Sequence, residues 1–167
     1  PWMAWATNVF APAALVERYQ QSRVVAFSTG NVYPLTEHDQ AAPTEESRCG
    51  PVGEYALTAL GRERMFQFAS DRYGTPVCLL RLNYAVDLRY GVPVDIARTM
   101  LAGQPVDLST PRVNMVWQGY ANRVALEAFT LVQAPPRLLN LTGRDCHSVR
   151  ELALELGRHL ELEPKFT

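Results

Sequence analysis

Cysteine is scarce in this chain, and so is histidine: three of each in 167 residues. Cys49, Cys78 and Cys146 stand far apart, with no C-x-x-C spacing and an odd count, which argues against both a disulfide framework and a zinc site. His38, His147 and His159 form no H-E-x-x-H or comparable ligand pair, so no metal is expected. Net charge is absent too. Sixteen basic against 17 acidic residues leave −1, which gives no electrostatic case for nucleic acid or an anionic membrane. Apolar runs stay well short of the ~20 residues that span a bilayer. The opening Pro-Trp-Met-Ala-Trp lacks the basic start and apolar core of a signal peptide. It also lacks an initiator methionine, so the chain reads as starting within a longer gene product. A reducing, cytoplasmic compartment is the expectation.

What is present is ordinary for a globular protein: 47% hydrophobic and 20% charged residues, in a chain of 167, a length that can bury roughly 70% of the unfolded surface. Residues 9–21 place Ala13, Leu15, Val16 and Tyr19 at helical spacing, with Pro12 near a first turn or kink. VVAFS (24–28) reads as a buried strand, and 34–53 as a long surface loop of the kind that is often functional. A helix over 54–72 stops at Gly74 and Pro76, and VCLLRL (77–82) is a second buried strand. Further on, the pattern predicts helices over 93–102 and 119–132, and strands at 105–108, 113–117 and 137–141. A last helix runs from Ser148 to about Leu160, with Ser148 and Glu151 spaced as a capping box. Val24, Val25, Phe27, Val77, Leu79 and Leu80 are expected as strand core. Met65, Phe66, Phe68 and Ala69 are expected to pack from the long helix.

Strands alternating with helices, apolar on both faces, predict an α/β fold with a mostly parallel sheet. The shift in composition near residue 84 suggests a first part over 1–84. A smaller lobe over 85–167 would follow, with a late strand and helix interleaved.

Ser28-Thr29-Gly30-Asn31-Val32-Tyr33 lies at the C-terminal end of the first strand, where open α/β sheets bind ligands. About 25 residues on, Tyr55 stands at the start of a helix. A strand-end hydroxyl and a tyrosine on the next helix can converge on one substrate hydroxyl. The S-T-x-x-V-Y run, the Tyr-initiated helix, the L-R-L-N strand end, N-M-V-W-Q-G-Y-A-N and L-L-N-L-T-G followed by S-V-R-E-L resemble, in order and spacing, the extended short-chain dehydrogenase/reductases. These are the NAD-dependent epimerases and dehydratases, and the resemblance covers nearly the whole chain from Asn8 onward.

That resemblance implies a partial Rossmann-like sheet with a small α/β substrate lobe, and NAD or NADP as cofactor. The substrate would be a hydroxyl-bearing, sugar-like small molecule. Tyr55 would be the acid/base and Thr29 its partner on the substrate oxygen. Tyr55, Ser28, Arg62 and Asn83 would face the cofactor; Thr29, Asn31, Asn83, Tyr90, Trp117 and Gln118 would face the substrate. A homodimer through the Tyr55 helix would follow the family's habit. A non-catalytic dinucleotide- or sugar-binding relative is the alternative.

Three departures matter. The family's Tyr-x-x-x-Lys reads Tyr55-Ala56-Leu57-Thr58-Ala59 here. An unassisted phenol, with a pKa near 10, is ionised only about once in a thousand at pH 7, so a lost lysine costs a tyrosinate base dearly. Arg62, two turns along the same face, is a candidate replacement charge. The second departure is the Arg-Asp pair expected near residue 113, which reads Val113-Asn114 with Arg112 one position early. That weakens the case for a diphosphate-bearing substrate. Third, no G-x-x-G-x-x-G loop occurs in the chain. The loop is expected upstream of Pro1, and the sheet edge left without it is expected to be exposed and aggregation-prone.

Overall fold

A computed structural model describes residues 1–35 and 41–167. Of the loop expected over 34–53, residues 36–40, which include His38, lie outside the described residues. No helix among the described residues is long and apolar enough to cross a membrane.

The chain opens on helix α1 (Trp2–Trp5), which runs through a π-helical turn, Ala6–Phe10, into α2 (Ala11–Arg18). The helix thus begins seven residues before the expected Val9. The wide turn directly precedes Pro12, which has no N–H to donate and whose ring crowds the carbonyl one turn back, so the local widening relieves that conflict. Strand β1 (Val24–Thr29) ends in a 3₁₀ turn over Gly30–Val32. Helix α3 spans Gly53–Tyr73, close to the expected 54–72. Its first residue has φ +81°, open only to glycine at low cost, and Gly74 closes it in the left-handed region.

Strand β2 (Val77–Leu82) follows, then β3 (Tyr84–Val86), α4 (Val92–Leu101), β4 (Arg112–Trp117) and α5 (Gln118–Glu127). A 3₁₀ turn at Ala128–Thr130, β5 (Arg137–Leu141), β6 (Cys146–Ser148) and α6 (Val149–Leu160) complete the order. The strand expected at 105–108 is not formed. Val106 makes one parallel bridge, to Phe166, and three backbone hydrogen bonds join 106–108 to 165–167, too short a pairing to form a strand. The helix expected over 119–132 ends earlier, and its last turn tightens to 3₁₀. Ser148 caps α6 by accepting from the Glu151 N–H at 3.3 Å, one half of the box that the spacing predicts.

Two compact units emerge. The first, Pro1–Leu82 with Asn122–Leu141, holds the parallel sheet β1-β2-β5. Central β2 is buried on both faces, apolar along Val77–Leu80 and with Arg81 as its one buried charge. The core joins Val16, Ala26, Phe66, Ala69, Val77 and Leu79. Of the residues expected in the core, Phe27 and Phe68 are exposed instead. Phe27 is 38% exposed on edge strand β1, and Phe68 is 55% exposed, its ring meeting Tyr73 edge-on at the surface. Helix α3 instead buries Ala56, Ala59, Glu63, Phe66 and Ser70, a stripe at three- and four-residue intervals that excludes position 68.

The second unit, Asn83–Ala121 with Thr142–Thr167, holds a small mixed sheet. Strand β3 pairs parallel with β4, and β4 pairs antiparallel with β6. Its core gathers Ile96, Met100, Val106, Val113, Val149 and Ala153.

Candidate active site

In the first unit, Thr29 ends β1 and is buried. Its Oγ1 accepts from the Asn31 N–H at 3.2 Å and so starts the 3₁₀ turn. Asn31 itself is exposed. Helix α3 packs on β1 and on that turn. Tyr55 lies in the helix's first turn, 57% exposed, and its hydroxyl has no hydrogen-bond partner among the described residues. One turn later Ala59 is fully buried against Val32 and Tyr33. Residues four apart share a helix face, so the Tyr55 face of α3 is the one turned to the segment that follows Thr29.

Ser28 and Arg62 are both engaged within the protein. Ser28 is buried, and its hydroxyl donates to Glu63 Oε1 at 2.5 Å. The Arg62 guanidinium donates to the Phe27 carbonyl at 2.7 Å and to Asn8 Oδ1 at 2.6 Å. Asn8, in the π-helical turn, donates in turn to Thr58 Oγ1 at 2.9 Å, and Thr58 donates to the Tyr55 carbonyl at 3.0 Å. A directed series of hydrogen bonds therefore links Arg62 to the backbone of the turn that carries Tyr55.

Beneath the strand end lies a network that the sequence reading did not single out. Buried Arg81 on β2 grips Glu63 with two prongs, Nε to Oε1 at 2.9 Å and Nη2 to Oε2 at 2.7 Å. Its Nη1 donates to the Tyr33 hydroxyl at 2.7 Å, which donates to Asn140 Oδ1 at 2.8 Å. Burial by itself would lower the Arg81 pKa, but the bonds to Glu63 and Tyr33 outweigh it and hold the guanidinium above arginine's ordinary value. One signal was legible: a charged residue inside VCLLRL must have a buried partner. Which residue supplies it was not.

In the second unit, Asn83 donates to Asn114 Oδ1 at 3.2 Å. Asn114, in the stretch where an Arg-Asp pair was expected, clamps the turn after β5. It accepts from the Gly143 N–H at 2.9 Å and donates to the Gly143 carbonyl at 2.8 Å. No side chain fits at Gly143, since a Cβ there would lie 2.0 Å from the Met115 carbonyl oxygen. Tyr90 and Trp117 are 40% and 50% exposed, and Gln118 opens α5. None of Asn83, Tyr90, Trp117 or Gln118 lines the cavity of this unit, which is bounded by Tyr84, Asp95, Ile96, Thr99, Asp107 and Val113 among others.

The profile of the NAD dependent epimerase/dehydratase family matches residues 1–86. No curated protein matches the chain. Among solved structures, UDP-glucuronic acid 4-epimerase from Bacillus cereus, in complex with NAD, is 17% identical with a TM-score of 0.84 over 97% of this chain and 56% of its own. UDP-glucose 4-epimerase from Thermus thermophilus, also with NAD, is 20% identical with a TM-score of 0.78 over 96% and 56%. The dTDP-glucose 4,6-dehydratase from Bacillus anthracis, again with NAD, is 17% identical with a TM-score of 0.80 over 94% and 53%. These likenesses establish the Rossmann-like fold, and the chain spans about half the length of each of these proteins.

Proposed function

Because the chain belongs to the NAD-dependent epimerase/dehydratase family, we propose that the protein epimerises, dehydrates or reduces a hydroxyl-bearing, sugar-like substrate with NAD or NADP. The observation that carries this reading is Tyr55: an exposed phenol with no partner among the described residues, on the helix face turned to the segment after Thr29. Tyr55 exchanges the proton at the substrate oxygen, and the Thr29 hydroxyl, whose own hydrogen is free to donate, binds the same oxygen. The dinucleotide supplies hydride transfer when bound. Toward its nicotinamide this chain offers the Tyr55 phenol. Ser28 and Arg62 hold Glu63, Phe27 and Asn8 instead, and Ala59 brings no ammonium, so the fit to the cofactor is confined to that end.

The test is Tyr55→Phe in the full-length protein. Cofactor reduction or isomer interconversion should fall by about 10²–10⁴-fold, the usual worth of a positioned acid/base. Activity near the unmutated level would remove Tyr55 from the mechanism.

One observation favours a second reading, a dinucleotide- or sugar-binding relative without turnover: Ala59 is built into packing with Val32 and Tyr33 rather than left as a gap. Dinucleotide binding without any reaction over a panel of sugars and sugar nucleotides would support it. Two further parts of the proposal stand on their own features. Leu57 and Phe68, apolar and exposed on α3, suit a homodimer through that helix, which light scattering would detect. Three unpaired cysteines suit a cytoplasmic location, to be checked by fractionation.

A further inference from the structure

The second unit carries an open cavity of about 250 Å³ between α4, the segment 106–110, β4 and the start of α6. Its wall is apolar at Ile96, Val113 and Val149. Its polar groups are Asp95 and Thr99, one turn apart on α4, with Asp107 and Thr110. Tyr84, 54% exposed, adds an aromatic surface.

Two chemical features set what can enter. First, among the described residues no arginine, lysine or histidine lines the cavity, while two carboxylates do. Asp107 is held in place, Oδ1 accepting from the Ser109 N–H at 2.7 Å and Oδ2 from the Ser109 hydroxyl at 2.9 Å. Those bonds also hold its pKa below the usual aspartate value, so it is ionised at neutral pH. A phosphate would meet negative charge with no guanidinium fork to grip it. Second, a ring sugar presents an apolar face and a rim of hydroxyl donors, and the cavity offers an aromatic side chain, an aliphatic wall, carboxylate acceptors and threonine hydroxyls.

We infer that this cavity binds a neutral, hydroxyl-bearing ring of pyranose size and selects against phosphate esters and nucleoside diphosphates. That the bound ring is the substrate rests on the proposed function; that it binds does not. The selectivity sets this chain apart from neighbours solved with UDP-sugars, such as the Bacillus cereus epimerase complex with UDP-glucuronic acid.

The test is methyl-resolved NMR of the full-length protein, following Ile96, Val113 and Val149. The probes are the methyl pyranosides of glucose, galactose and mannose, with glucose 1-phosphate and UDP as anionic counterparts. At least one glycoside should shift these methyls saturably at millimolar concentration, with both anions at least tenfold weaker. The double variant Asp95→Asn, Asp107→Asn keeps shape but removes charge, and should narrow the gap between glycoside and glucose 1-phosphate to less than threefold. Added salt should narrow it in the unmutated protein. Glucose 1-phosphate or UDP binding more tightly than every glycoside would overturn the inference, and so would methyls that no probe moves. Selective glycoside binding in a protein that turns nothing over would count against the proposed reaction alone. Turnover of a nucleotide sugar held at these methyls would count against this inference alone.

Discussion

Glu63 and Arg81 meet as a two-pronged ion pair inside the first unit, Nε–Oε1 at 2.9 Å and Nη2–Oε2 at 2.7 Å, with each side chain at most 7% exposed. Their partners extend the pair in both directions. Ser28 donates to Glu63, and Tyr33 receives Arg81 and passes on to Asn140. The pair therefore ties α3 and β2 to the last residues of β1 and to β5, which is how a strand end and a helix start are held in register.

Removing one member leaves the other charged and buried. Glu63→Ala or Arg81→Ala should each cost about 3–5 kcal/mol in urea unfolding. In the double variant Glu63→Ala, Arg81→Met the loss should be smaller than the sum of the singles, and a double-mutant cycle reads the coupling. The pH dependence has a definite sign. A cation whose pKa is raised on folding contributes fully below its unfolded value and is lost only as pH climbs through the folded one. Unfolding midpoints should thus show no loss attributable to Arg81 between about pH 7 and pH 10, well under arginine's ordinary range.

Ala59 is where the family carries lysine, and here it is fully buried against Val32 and Tyr33. Ala59→Lys forces four methylenes and an amine into that contact. Overpacking of this kind costs about 1–3 kcal/mol, with a further penalty for an amine that finds no partner. The expected outcome is a lower melting temperature and no gain in turnover, the behaviour of a site rebuilt around alanine. A rise of tenfold or more in activity would instead mark a decayed site.

How far the sequence could be read follows from what each element depends on. β1, β2, α3, β5 and α6 announce themselves through apolar runs and caps, which are local. β3 and β6 are three residues each and exist only because β4 lies beside them, so no periodicity could reveal them. The strand expected at 105–108 is reduced to one bridge, because its pairing with 165–167 stops after three hydrogen bonds. The places of Thr29 at a strand end and Tyr55 in a helix's first turn were legible by order and spacing. Glu63, Tyr33 and Asn8 were not, because their roles arise from side-chain contacts at 18 to 54 residues' separation.

The three thiols differ in a way that alkylation can read. Cys146 is exposed on β6, Cys49 is half-buried with its sulfur 3.4 Å from Arg81 Nη2, and Cys78 is buried in β2. Burial pushes the Cys78 thiol up, with Arg137 acting weakly against it, so its thiolate is scarce as well as shielded. Iodoacetamide at pH 8 should modify Cys146 first, Cys49 more slowly, and Cys78 only when the protein is unfolded. Early labelling of Cys78 in the folded protein would contradict the packing of β2.

Arg62 offers the sharpest separation between structure and catalysis. Its guanidinium joins the Phe27 carbonyl of β1 to Asn8, and through Asn8 and Thr58 it reaches the Tyr55 carbonyl. If holding these elements together is its whole role, Arg62→Ala should lower stability by about 1.5–3 kcal/mol, the worth of hydrogen bonds from a charged donor. Dinucleotide affinity, measured by calorimetry well below the melting temperature, should then stay within about threefold, or roughly 0.6 kcal/mol. If it serves instead as the charge that replaces the missing lysine, affinity should fall by tenfold or more, and Arg62→Lys should restore much of it because the charge returns. Asn8→Ala distinguishes the two further. It breaks the link from Arg62 to Thr58 while leaving the guanidinium in place, so it should reproduce the stability loss of Arg62→Ala only where the hydrogen-bond series is what matters.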